Sequence, residues 1–168
     1  MANRALESGP VGERVAAQVA RIRARKGWDQ KQLSDRLAAV GRPMSPSVIS
    51  KIEQGDRRVD ADDLVALARA LNVYLAGLLL PLDDSPGSSV ELTRGSNVPA
   101  DVAWAWLSNE RPLELTEPRD YEPELEAELY SLPPGRRSTW KGVRGLLGPE
   151  HQDGETVRAL TREDQAGG

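Results

Sequence analysis

No cysteine and no phenylalanine occur in the 168 residues, and histidine occurs once, as His151. The lack of thiols excludes a disulfide framework and thiolate metal sites, which fits a cytoplasmic setting. Aromatics make up only 4%, so a core must be assembled from Leu, Val, Ile and Ala. That favours small packed helices over a β-sandwich. The longest apolar run, "VYLAGLLLPL", is far short of the roughly 20 residues that span a bilayer. The opening "MANRALESGPVGERV" has no apolar centre of the kind a signal peptide needs. Catalytic chemistry is equally thin. His151 lies in a polar stretch and leaves a Ser-His-Asp arrangement without a base. No GxxxxGK[ST] loop occurs, and the acids of "EPELEAE" lack metal-site spacing. No enzyme, cofactor or metal site is expected, and no membrane partner.

Charge is abundant but unevenly placed. The net charge of −4 argues against a polyanionic partner, yet the average hides an asymmetry. Residues 1–82 carry 13 Lys/Arg against 9 Asp/Glu, a balance of +4, and residues 83–168 carry 9 against 17, a balance of −8. The front half is basic and the back half is an acidic appendage.

The front half reads as five short helices. In "GERVAAQVARIRARKGWDQ", Val15, Val19 and Ile22 share one face, cations gather in the last turn, and Gly27 stops the helix. Asp29 is placed to cap a second helix whose apolar positions are Leu33, Leu37 and Val40, ended by Gly41. Ser45 caps a third, with Pro46 at the first helical position. Met44 and Ile49 are spaced for a hydrophobic staple, and Val48, Ile49 and Ile52 form the buried side. This third helix is too short to be stable alone. Asp60 caps a fourth, with Asp62 and Asp63 in its first turn and Leu64, Leu67, Ala68 and Leu71 as its stripe. Leu75 to Leu80 form a fifth, stopped by Pro81.

The ordered series "DQKQLSDRL…MSPSVISKIEQGDRRVDADDLVALARALNV" resembles the Cro/CI-type (XRE) helix-turn-helix DNA-binding domain of phage repressors and many bacterial regulators. The resemblance covers about residues 13–82, and the longer form is most similar to regulators common in actinobacteria. It implies an all-α, five-helix lambda-repressor-like domain whose third helix enters the major groove tip-first. By matching positions, Pro46, Ser47, Ser50 and Lys51 would face bases, with Lys51 suited to guanine O6/N7 and Pro46 to apolar contact with a thymine methyl. Gln30 would meet phosphate through its side chain and backbone N–H, and Arg57 and Arg58 would meet phosphates beyond the recognition helix. The resemblance also implies a buried structural pair between Arg23 and Glu53.

This chain departs from the family between Leu33 and Ile49, where about five extra residues, mostly "AVGRPM", replace a tight turn. Arg42 lies in that extension and is a further candidate for phosphate. Tyr74 stands where a capping residue is more usual, which would fray the fifth helix.

The organisation expected is a flexible N-terminus over 1–12, the DNA-binding domain over 13–82 and a Pro/Gly/Ser-rich linker over 83–98. A smaller, partly disordered acidic helical region follows over 99–147, then a disordered tail over 148–168. "SVELT" within the linker is a short extended piece. Trp104 and Trp106 are two apart, so one helix face cannot bury both. One is expected to pack on the DNA-binding domain and the other to meet a partner. Tyr121, Leu125, Leu129 and Leu132 form a stripe suited to dimerisation or to packing on the same chain. The basic "RRSTWKGVRGLL" is expected to clamp that acidic helix, of the same or another subunit, with contact to DNA as the alternative. The reading is a nucleoid-associated, sequence-specific regulator, a repressor binding its double-stranded DNA operator as a homodimer. The alternative is a protein-interaction module, antitoxin-like or an adaptor for polymerase or sigma factor, acting through the acidic half.

Overall fold

A computed structural model describes residues 8–113, 127, 128, 130–133 and 136. Met1–Glu110 form one compact unit and Arg111–Gly168 a second. In the second unit, residues 127, 128, 130 and 131 are helical. The stripe through Tyr121, Leu125 and Leu129, the basic segment around Trp140 and the acidic tail lie outside the described residues.

The first unit begins with helix α1 (Pro10–Arg25), where Pro10 occupies the first helical position and Val15, Val19 and Ile22 are buried. Gly27 follows at φ +67°, a left-handed turn that reverses the chain at little steric cost. Helix α2 (Gln30–Ala39) opens on a complete capping box. The Asp29 carboxylate accepts from Gln32 N–H at 2.7 Å, and the Gln32 side chain accepts from Asp29 N–H at 2.8 Å. Helix α3 (Pro46–Glu53) has Ser45 as its cap, with Oγ accepting from Val48 N–H at 3.3 Å. Helix α4 (Ala61–Leu71) is capped by Asp60 and ends on Asn72 in the left-handed region. Helix α5 (Ala76–Leu79) is a single turn with Leu75, not Tyr74, at its cap position and no side-chain cap.

Apolar stripes from these helices meet in one core. Val19, Leu33, Leu37, Ile49, Ile52, Leu67, Leu71 and Leu78 have no solvent exposure. Burying each Leu or Ile side chain is worth about 1.5–3 kcal/mol, so Ile49 and Ile52 anchor a helix only 8 residues long that would not persist alone. Met44, before the cap, joins Ile49 in the same cluster.

The stretch expected to be a linker is structured. Strands β1 (Ser89–Thr93) and β2 (Ser96–Pro99) form an antiparallel hairpin with Val90 opposite Val98. Helix α6 (Ala100–Leu107) follows directly. Leu80, Val90 and Ala103 make a second small core, with Leu92, Val98, Trp104 and Leu107 packed against it. Trp104 Nε1 donates to the Pro81 carbonyl at 2.9 Å, while Trp106 is 40% exposed. Two side chains of α1 tie this extension to the helices. Arg14 donates to the carbonyls of Leu79 at 2.9 Å and Glu91 at 3.1 Å, and Gln18 donates to that of Leu80 at 3.3 Å. A segment of Pro, Gly and Ser character is ordered here because its few apolar residues find partners far away in sequence. The compact unit therefore continues past residue 82. The fold is predominantly helical, with one hairpin added.

Candidate nucleic-acid interface

Helix α3 has one buried face and one open face. Ile49 and Ile52 face the core, while Pro46, Ser47 and Lys51 are exposed and Ser50 is half-buried. The side chains at the tip make only local contacts. Ser45 Oγ and Ser47 Oγ are 2.9 Å apart, and Gln54 Nε2 donates to Ser50 Oγ at 3.3 Å. Both serines keep donor and acceptor capacity for an outside partner. Small polar side chains, a proline and one lysine therefore share the open side of α3.

The other end of α3 is held firmly. Glu53 Oε1 accepts from Arg23 Nε at 2.6 Å, and its Oε2 accepts from Arg23 NH2 at 2.9 Å and Gln30 Nε2 at 3.1 Å. Arg23 NH1 donates in addition to the Trp28 carbonyl at 2.7 Å. Its hydrogen bond to Glu53 holds the guanidinium pKa above the ordinary arginine value, against the opposing effect of burial. The Glu53 side chain is only 8% exposed, so this fork-on-fork pairing takes the place of its lost hydration. Three elements, α1, α2 and α3, thus meet at one carboxylate. The Gln30 amide nitrogen, expected at a phosphate, belongs to this network in the DNA-free chain.

Beside it, Trp28 is flanked by two cations. The Arg36 guanidinium lies 3.9 Å from the ring centroid and Lys26 Nζ 5.1 Å away. Neither contact was expected from the sequence, and Arg36, within α2, is joined to Trp28 by no local rule.

The two arginines expected at phosphates on either side of α3 converge on a second carboxylate. Arg42 Nε donates to Asp63 Oδ1 at 2.9 Å, and Arg57 NH2 donates to Asp63 Oδ2 at 2.9 Å. Arg42 NH2 also reaches Asp60 Oδ2 at 3.3 Å. The bond to Asp63 raises the pKa of Arg42 above its ordinary value. The Asp63 side chain is 1% exposed, a degree of burial that a first-turn acid does not announce in sequence. Arg58, in contrast, is exposed beside a cavity of about 400 Å³ lined also by Val59, Leu64 and Leu79. Among the described residues no His/Cys/Asp/Glu cluster suited to a metal occurs, and no helix is long and apolar enough to cross a membrane.

Comparison with known proteins agrees with this geometry. Residues 19–78 match the helix-turn-helix family, of the XRE type. The matched span begins inside α1, ends inside α5 and contains both carboxylate networks and the open tip of α3. No curated protein and no solved structure matches the chain. Residues 19–78 are therefore an XRE-type helix-turn-helix DNA-binding domain.

Proposed function

We propose that this chain is a sequence-specific transcriptional regulator that inserts the tip of α3 into the major groove of duplex DNA and represses by occupying an operator. The observation that carries the reading is the exposure of Pro46, Ser47 and Lys51, with Ser50 at their edge, on a helix whose opposite face is fully buried. Lys51 is suited to guanine O6/N7 and the serine hydroxyls to either kind of base edge. Exposure of Arg58 on the loop behind α3 supports a phosphate role for it, and the backbone N–H of Gln30 at the start of α2 is the second candidate. One such domain covers a half-site only. A dimer reading two half-sites about one helical turn apart is the arrangement that lets so small a surface specify an operator.

The test is selection of bound duplexes from a random DNA pool, followed by titration of the enriched duplex over a salt series. Enrichment of a two-fold-symmetric motif, with log K falling linearly in log salt at a slope of about −0.9 per phosphate contact, is the expected result. Failure to enrich any motif overturns the reading.

A second reading, in which the acidic half recruits a protein partner, is favoured by Trp106, which stays 40% exposed at the end of the compact unit. Deleting residues 110–168 distinguishes its contribution: operator binding persists while regulation is lost.

A further inference from the structure

The longer connection between α2 and α3 raises a physical difficulty. Six residues, 40–45, replace the tight turn of the family, and extra loop length loosens the angle between two helices unless something fixes it. The loop after α3 presents the same difficulty on the other side. Asp63 meets both. It sits in the first turn of α4, its backbone N–H held by Asp60 Oδ1 at 2.7 Å, where the helix dipole favours an anion. One of its carboxylate oxygens takes Arg42, from the connection before α3, and the other takes Arg57, from the loop after it. The backbone braces the same two points: Arg42 N–H donates to the Leu37 carbonyl at 2.9 Å and Arg57 N–H to the Lys51 carbonyl at 3.1 Å.

We infer that Asp63 is a positioning residue for DNA recognition, a buried clamp that fixes both loops flanking α3 so that the short helix presents its tip at one angle. The inference rests on the DNA-binding reading above and changes it in one respect. Arg42 and Arg57 act as struts, and their phosphate role passes to neighbours such as Arg58. A carboxylate 1% exposed needs protein donors in place of water, so the clamp and its two arginines are interdependent. The inserted residues "AVGRPM" then carry their own restraint in Arg42.

A strut and a phosphate ligand respond differently to substitution. Removing an acidic charge from a DNA-binding face strengthens binding if charge alone matters, and replacing Arg by Lys keeps the charge but loses the planar fork. The experiment uses the full chain, checked for folding by circular dichroism, and the duplex enriched by the wild-type protein. Asp63→Asn is expected to weaken specific binding about tenfold or more, despite its more favourable net charge, with the salt slope unchanged. Arg57→Lys and Arg42→Lys are expected to weaken specific binding severalfold and to leave binding to random duplex unchanged, and they serve alone if Asp63→Asn does not fold. Asp63→Asn binding as tightly as wild type, or Arg57→Lys doing so while Arg57→Ala lowers the salt slope by about one, overturns the inference. Amide hydrogen exchange makes the clamp testable apart from DNA. Exchange over residues 40–45 and 55–59 is expected to accelerate about tenfold in Asp63→Asn or the lysine variants while α1 keeps its protection, and unchanged exchange overturns the clamp. A wild-type protein that enriches no motif overturns the DNA-binding reading, and the exchange measurement then judges the clamp by itself.

Discussion

The two ends of α3 differ sharply. At its C-terminal end Glu53 is gripped by Arg23 and Gln30 at 2.6–3.1 Å. At its N-terminal end Pro46 and Ser47 are exposed, and Ser47 Oγ lies 2.9 Å from Ser45 Oγ of the cap. A helix of 8 residues lacks the intrinsic stability to hold a surface still. The chain supplies rigidity from behind and beneath, through ion pairs and two buried isoleucines, and leaves the tip bare. Stability and recognition are thereby assigned to different residues of the same helix.

That division can be broken at its strongest point first. Ile49→Ala removes a fully buried side chain and is expected to cost about 3–4 kcal/mol, read as a lower urea midpoint, with DNA binding lost along with the fold. Glu53→Ala leaves Arg23 partly buried without its partner and is expected to cost about 3 kcal/mol, seen as a fall in Tm. Ser45→Ala removes a cap whose oxygen accepts from Val48 N–H and is expected to cost about 1 kcal/mol. Lys51→Ala sharpens the comparison from the other side: stability within about 0.5 kcal/mol of wild type, with affinity for the selected duplex reduced about tenfold. A Lys51→Ala protein as unstable as Glu53→Ala would erase the distinction between the open side of α3 and its anchored residues.

Much of this was legible in the sequence because the signals are local. Asp29, Ser45 and Asp60 announce caps three residues ahead of the N–H groups they accept from. The spacing of Val15, Val19 and Ile22 gives the buried face of α1. Arg23 and Glu53, 30 residues apart, came into view only through resemblance, since no local rule joins them.

The Asp63 clamp escaped notice for a similar reason. In sequence Asp63 is one of several acids in a helix's first turn, and its partners lie 21 and 6 residues away. Arg42 and Arg57 read as phosphate contacts, because burial of the carboxylate that receives them is a property of packing. The first strand was legible as the extended "SVELT", but its pairing with β2 was not, because Ser96–Pro99 reads as linker among Pro, Gly and Ser. What orders the hairpin is Arg14, 77 residues from Glu91, together with Leu80 and Ala103.

The central claim is that base recognition resides in the exposed tip of α3. Its most direct test compares duplexes selected from a random pool by the wild-type protein and by a Ser47→Ala, Ser50→Ala, Lys51→Ala variant of unchanged fold. A defined motif for the wild type and none, or an altered one, for the variant is the predicted result. The same motif from both proteins would contradict it.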